Sequence, residues 1–376
     1  MSEIPFNIPY ITGNELRNIE EVFVRGHFAG NGYFTNLCQD WLQEHLGAPR
    51  VLLTHSCTGA LEMAAILTDL EPGDEVITPS FTFTTTASSF MRSGARPVFC
   101  EIDPTTMLID LDDLEEKITS STKAIVPVHY AGCSADMERL LSIAESNNLT
   151  VIEDAAQGLG SFWNGKPLGT FAPLAAFSFH ETKNIHSGLG GCLIINDPKL
   201  VERAEVVWER GTDRSAFFRG LVDKYTWREV GSSFYPTEFQ AAFLHAQLEA
   251  MKDNVENRQK IWKSYKSNLS DLEKEGLLKI LTPTKDSEAN AHMFAIILPS
   301  REICDGLRKF LNDEGVNAVI HYVPLHRSDV GARIGYSDSD LPQTSEFASR
   351  LLRLPLHHEI GDSDISIISR LIRDFF

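Results

Sequence analysis

Long apolar runs are missing from this chain of 376 residues. No stretch approaches the roughly 18 uninterrupted apolar residues that a membrane-spanning helix needs, so a helical membrane protein is excluded. The opening MSEIPFNIPY has no basic start followed by an apolar run, and no secretory signal is predicted. Cysteines are few and scattered, at 38, 57, 100, 133, 192 and 304. They form no CxxC pair and no Cys/His spacing of a zinc site, so they read as free thiols of a reducing cytoplasm, with no metal. Positive charge is short: 34 Lys and Arg face 52 Asp and Glu, a net −18. Such a chain is not built for DNA or anionic lipid, whose affinity rests on cations meeting phosphates. One small phosphorylated ligand stays possible, because backbone amides can hold it. Repeats and low-complexity linkers are also missing. What remains, 43% apolar and 23% charged residues, is a soluble globular protein with length for two or three domains.

Strand and helix patterns alternate through the first half. VLLTHS (51–56), DEVITPS (74–80), ARPVFCEID (95–103), KAIVPVHYAG (123–132), LTVIEDAAQ (149–157), LAAFSFHETK (174–183) and GGCLIIND (190–197) read as strands. TGALEMAAILTDL (58–70), residues 112–118 and MERLLSIAESNN (137–148) read as helices; the last has apolar residues three and four apart. This predicts an α/β domain on a mainly parallel sheet, with ligands beyond the strands' carboxyl ends. Residues 236–268 turn helical. KILTP (279–283), MFAIILP (293–299), REICDGLRKFLNDEG (301–315) and VNAVIHYVPLH (316–326) then read strand, strand, helix, strand. The expected division is a large α/β domain over 1–254 and a small α+β domain over 255–376.

Three polar constellations stand at strand ends. Ser56-Cys57-Thr58-Gly59 is a turn of small residues opening a helix, a place for a phosphate or merely a helix cap. Asp154 ends a buried strand and needs a partner: a protonated pyridine nitrogen, or else a structural ion pair or a helix cap. Lys183, in FSFHETKN before a Gly-rich turn, is a nucleophile if its surroundings lower its pKa and otherwise a solvated lysine. His180 and His186 beside it read as structural. Taken together the three suit one cofactor, pyridoxal 5′-phosphate, which needs a phosphate anchor, an acid for its ring nitrogen and an amine for its aldehyde.

HSCTGALEMA, PGDEVITPSFTFTTTA, KAIVPVHYAG, VIEDAAQG and FSFHETKN carry a resemblance to the fold-type I nucleotide-sugar aminotransferases of the DegT/StrS kind. It runs from IPFNIPY (4–10) to LLRLPLHHEI (351–360). RGTDRSAFFRGLVDKYTWREVGSSF (210–234) resembles the subgroup that makes dTDP-4-amino-4,6-dideoxygalactose from a dTDP-4-keto-6-deoxyhexose for surface polysaccharide. The resemblance implies an α/β transferase fold with a large and a small domain, glutamate as donor, and a homodimer or higher homo-oligomer with shared sites. Lys183 matches the lysine that links to the cofactor and shuttles protons. Asp154 matches the acid at the ring nitrogen, Gln157 the residue beside the ring oxygen, and Phe83 the aromatic over the ring. Cys57, Thr58, Gly59 and Ser178 match phosphate-binding positions.

Many relatives have G-x-N where this chain has Gly231-Ser232-Ser233, so Ser233 takes the place of the asparagine offered to a neighbouring subunit's phosphate. Leu189 stands where many have an acid. His321 and His326, flanking Tyr-Val-Pro-Leu, are candidates for the substrate side or ordinary loop histidines. A related dehydratase activity, in which histidine replaces the lysine, is disfavoured by Lys183. Amination of another nucleotide keto-sugar (at C3, or to the gluco epimer) and a non-catalytic regulator on the same scaffold are the rival readings.

Overall fold

A computed structural model describes residues 3–376. Five strands are laid down first: β1 (Arg50–Thr54), β2 (Glu75–Pro79), β3 (Arg96–Cys100), β4 (Thr122–Ile125) and β5 (Thr150–Asp154). A short ribbon, β6 (Phe162–Trp163) and β7 (Lys166–Pro167), precedes β8 (Leu174–Ser178) and β9 (Gly191–Ile195). The seven longer strands form one sheet in the order β1-β9-β8-β5-β4-β2-β3. Neighbours from β3 to β8 pair in parallel, whereas β9 runs antiparallel to both β8 and β1. The sheet is mainly parallel, as the alternation of elements predicts. Its strands are apolar on both faces because helices cover both. β1, β2, β5 and β8 all finish at one edge, which collects the turns after Thr54, Pro79, Asp154 and Ser178.

Local chemistry explains the helix starts. Ser56 caps the helix Cys57–Leu67 with its side chain, and Asp136 caps Met137–Ser146 in the same way. Thr237 and Gln240 close a reciprocal capping box on Glu238–Glu249. A second helix, Met251–Lys274, follows almost without break. Its Met251 and Val255 pack into a core with Phe34, Leu42 and Phe177. From Ile261 onward it joins another core, with Tyr265, Phe294, Leu307 and Ile368. Around that second core lie β10 (Lys279–Ile280), β12 (Phe294–Ile297) and β13 (Leu351–Leu354), while β11 (Ser287–Glu288) pairs back with β6. Ile4, near the N-terminus, belongs to the second core and bridges Val316. Among the described residues no helix is long and apolar enough to cross a membrane.

One expected strand is corrected. VNAVIHYVPLH forms only single bridges, Ile4–Val316 and Val319–Arg353. The Asn312 side chain occupies both backbone groups of Ala318, at 2.9 and 3.3 Å, and Pro324 has no amide to donate. The run therefore leaves the sheet after Val319 and crosses the carboxyl edge of the large sheet as a loop.

Candidate active site

That loop and the strand ends enclose a cavity of about 650 Å³. Its floor begins at the helix Cys57–Leu67. Ser56 Oγ accepts the amide of Gly59 at 3.1 Å. The amides of Cys57 and Thr58, in the first turn, have no intrahelical partner and sit at the positive end of the helix. Gly191 lets β9 lie directly beneath: a Cβ there would be 2.4 Å from the Cys57 nitrogen. Cys57, Thr58 and Ser178 line the cavity. Gly59 is not among the lining residues; its amide belongs to the cap, and its lack of a side chain makes room for the His55 ring. Burial, and then the charge of Asp154, push the Cys57 thiol well up, so it stays protonated.

Asp154 reaches the cavity because strand neighbours face opposite ways. Glu153 turns to the other side and accepts the amides of Gly169, Phe171 and Ala172. Asp154 accepts the Thr86 hydroxyl at 2.6 Å and the Ala156 amide at 3.1 Å. Thr86 is in turn bonded to Thr82, 2.8 Å away. Burial pushes the carboxyl up, while those two hydrogen bonds and the nearby Lys183 ammonium pull it back. Lys183 lies in the turn after β8, its own amide bonded to the His180 carbonyl at 2.8 Å. Next to it, Asn184 is tied to Asn290 and Asn254. Burial lowers the Lys183 pKa, opposed by the charge of nearby Asp154. A lysine so placed gives up its proton more readily than one in water. Gln157 accepts the Ala131 amide at 2.7 Å and donates to the Tyr322 hydroxyl at 3.2 Å. Phe83, 54% exposed, opens the helix Thr84–Met91 at the cavity's rim.

The opposite wall comes from the loop after Val319 and from the segments beside β12 and β13. His321 Nδ1 and the Tyr130 hydroxyl are 2.6 Å apart, and the His321 ring stacks on Tyr322 at 3.7 Å. His321 is driven well below the usual histidine value by burial and by the cations Arg353 and Lys183, so it is neutral. His292 lines the same wall, is depressed in the same way, and has its Nδ1 3.1 Å from Asn184 Oδ1. Arg353, Phe6 and Asn7 complete it.

Besides Gly59, two of the sequence candidates are not brought to this cavity. His326 is buried between two hydroxyls, Ser80 at 2.7 Å and Ser345 at 2.9 Å, and both ring nitrogens are occupied. Its contacts make it a structural tie between the turn after β2 and the helix Pro342–Arg350. Ser233 is exposed beside Glu209 and does not line the cavity of its own chain. Tyr322, Arg353, His292, Thr86 and the Phe6-Asn7 segment were not singled out from the sequence. Only Arg353 carries a local signal, a lone charge in the apolar strand LLRL.

The sequence profile of the DegT/DnrJ/EryC1/StrS aminotransferases matches residues 9–373. The chain belongs to that family. A "Pleiotropic regulatory protein" of Geobacillus stearothermophilus is 33% identical, over 96% of this chain and 94% of its own. A dTDP-4-dehydro-2,3,6-trideoxy-D-glucose 4-aminotransferase of Saccharopolyspora spinosa is 31% identical, again over 96% and 94%. Among solved structures, the putative sugar aminotransferase Spr1654 of Streptococcus pneumoniae superposes with a TM-score of 0.92 in its PMP form, at 25% identity, over 99% of this chain and 98% of that one. Its PLP form gives 0.91 and covers both chains fully. The fold is therefore the fold-type I architecture of PLP-dependent sugar aminotransferases.

Pyridoxal 5′-phosphate is the cofactor of this family, and the cavity fits it. The unpaired amides of Cys57 and Thr58, with the Thr58 and Ser178 hydroxyls, suit a phosphate. Asp154, held by two donors yet facing a cavity, suits a protonated ring nitrogen. Lys183 is the amine within reach of both, and Phe83 offers an apolar face.

Proposed function

We propose that this sugar aminotransferase moves the amino group of L-glutamate to the C4 ketone of a dTDP-4-keto-6-deoxyhexose, giving dTDP-4-amino-4,6-dideoxygalactose. The observation that carries amino transfer is Lys183 and Asp154 facing one cavity whose floor is the open helix start at Cys57 and Thr58. The choice of sugar is supported by the subgroup stretch at 210–234 and by a relative whose name describes amination at C4 of a dTDP-linked keto sugar. Bound there, the cofactor supplies an aldehyde to carry the amino group and a ring that takes up the charge left when a carbon loses its proton.

The chain's own groups do the rest. Asp154 keeps a proton at the ring nitrogen, and Thr86 and Ala156 aim its two oxygens. Lys183 Nζ, its pKa lowered by burial, removes the proton from the donor's α-carbon. It returns a proton at C4 of the sugar in the second half of the cycle. Phe83 covers one face and keeps water off the reacting carbon. His321, neutral and bonded to Tyr130, offers hydrogen bonds to sugar hydroxyls without adding charge.

The active unit we propose is at least a homodimer. Ser233 does not reach its own cavity, and the segment before it exposes Phe218, Leu221, Trp227 and Val230, each 68% exposed or more. Such a patch belongs against another surface.

The deciding experiment incubates the purified protein with glutamate and a panel of 4-keto and 3-keto nucleotide sugars, following 2-oxoglutarate and the product by NMR. An axial amine at C4 is expected. An amine at C3, or the equatorial epimer, would replace the proposed substrate. Absence of 2-oxoglutarate with every sugar would overturn amino transfer and favour the regulator reading, for which the Geobacillus relative's name is the support.

A further inference from the structure

His292 is held so that one ring nitrogen is left to the cavity. Its backbone is gripped on both sides just before β12. The amide donates to Asn290 Oδ1 at 3.0 Å, and the carbonyl accepts an Nη of Arg258 at 2.8 Å. The ring is fixed through Asn184, the residue after Lys183. Asn184 spends its Nδ2 on the Asn290 carbonyl at 2.8 Å, and its own carbonyl accepts Asn254 Nδ2 at 2.5 Å. Its side chain therefore turns Oδ1, an acceptor, to His292 Nδ1, 3.1 Å away. Nδ1 must carry the proton. A neutral imidazole has only one, so Nε2 is a bare lone pair. The ring lines the cavity, and no described residue bonds its Nε2. Burial and the charges of Lys183, Arg258 and Arg353 oppose a second proton. Nε2 is thus a fixed acceptor that does not become a donor.

We infer that His292 Nε2 accepts a hydrogen bond from the C3 hydroxyl of the keto sugar, and so selects a substrate that carries that hydroxyl. This rests on the function proposed above. A fixed acceptor needs a partner with a proton to give. The carboxylates of glutamate have none, and its nitrogen is the group being transferred. The hydroxyls of the sugar do. Through Asn184 the ring is tied to the neighbour of Lys183, whose Nζ works at the ketone carbon. In a 4-keto-6-deoxyhexose that carbon has two ring neighbours, C3 with a hydroxyl and C5 with a methyl group. C3 therefore bears the hydroxyl nearest the reaction. A site built to hydrogen-bond a hydroxyl rejects the analogue without it, because its own polar atom is then left unpaired and away from water.

The test compares two sugars in wild type, His292→Asn and His292→Gln, with aminated enzyme in single turnover. The probes are dTDP-4-keto-6-deoxyglucose and its 3-deoxy analogue. Asparagine keeps a donor where Nδ1 stood and has no atom at Nε2; glutamine brings an acceptor back toward Nε2. Wild type should prefer the hydroxylated sugar by between about 10- and 100-fold in second-order rate, as for one buried polar atom losing its partner. His292→Asn should reduce that preference to less than about threefold, and His292→Gln should restore part of it. A merely structural role would slow both sugars alike. An unchanged preference in His292→Asn, or none in wild type, overturns the inference. A readout without turnover accompanies it, nitrogen NMR of histidine-labelled holoenzyme in the pyridoxal form, which does not aminate a ketone. The His292 signals, assigned by their loss in His292→Asn, should show a protonated Nδ1 and a bare Nε2 at pH 7. The hydroxylated sugar should move the Nε2 signal and the 3-deoxy sugar should not. A proton on Nε2, or equal movement with both sugars, overturns the inference. If wild type aminates neither sugar, the function proposed above fails, and the NMR comparison still decides the role of His292.

Discussion

Lys183 and Asp154 are neighbours in space with opposite demands. Burial raises one pKa and lowers the other, and each partly offsets the shift of its partner. Lys183→Ala should fold and still hold the cofactor through the helix start, yet transaminate no substrate; near-normal turnover would remove the lysine from the mechanism. Asp154→Asn should cut the rate by more than about tenfold, some 1.4 kcal/mol of barrier, because an amide does not hold the ring nitrogen's proton. The histidines make a prediction about acid. His292 and His321 sit well below the ordinary value of 6.5 in the folded protein. Below that pH the unfolded chain takes up protons that the folded chain refuses, so stability falls as pH drops below about 6.5, by up to about 1.4 kcal/mol per pH unit for each ring. Urea denaturation at pH 7 and pH 5.5 should show this loss in wild type. The doubly substituted His292→Asn/His321→Asn protein should lose less; equal loss in both would mean that the rings are protonated in the fold.

Among secondary-structure elements, β9 passes directly under the start of the helix Cys57–Leu67. The helix start fills the space that a side chain at Gly191 would need: a Cβ there would lie 2.4 Å from the Cys57 nitrogen and 2.5 Å from the Ser56 carbonyl carbon. Gly191→Ala should push the turn outward and misalign the two free amides. We expect weaker cofactor binding and a stability loss on the order of 1–3 kcal/mol. Fluorescence titration of the apoprotein with pyridoxal 5′-phosphate and a thermal melt check both, and unchanged affinity would mean that the turn does not hold the phosphate. Ser56→Ala is the milder probe: it removes only the cap to Gly59, worth about 1 kcal/mol, and leaves the β9 packing alone.

For the whole molecule, the segment from 214 to 233 matters most. It carries Phe218, Leu221, Trp227 and Val230 outward and ends at Ser233, away from its own cavity. Sedimentation should find a dimer or larger assembly at assay concentration. Trp227→Glu together with Leu221→Glu should shift it toward monomer and reduce activity, although neither residue lines the cavity. A fully active monomer would show that each chain's site is complete. The long helix Met251–Lys274 matters at the same level. Because it belongs to both cores, it holds Arg353 and His321 against Lys183 across the cavity.

Much of this protein was legible before any coordinates. The alternation of apolar strands and helices determined the α/β sheet, because a parallel strand buried on both faces reads as a continuous apolar run wherever it sits. Lys183, Asp154, Gln157, Cys57 and Thr58 were legible because each stands at a strand end, where local pattern and motif coincide. The far wall was not. VNAVIHYVPLH has strand composition, and the competition of Asn312 for its backbone, together with the missing amide of Pro324, turned it into a loop. His321 and His326 look equivalent in sequence, five residues apart, yet one faces the cavity and the other is locked between Ser80 and Ser345. Thr86 bonds Asp154, 68 residues away, and Arg353 lines the same cavity as Lys183, both brought there by chain folding alone. Short-range patterning sets which elements form and where their ends lie. Which side chains then share a cavity is decided by how two cores meet, along the long helix and through the cluster of Phe81, Tyr130, Met293 and Ala295.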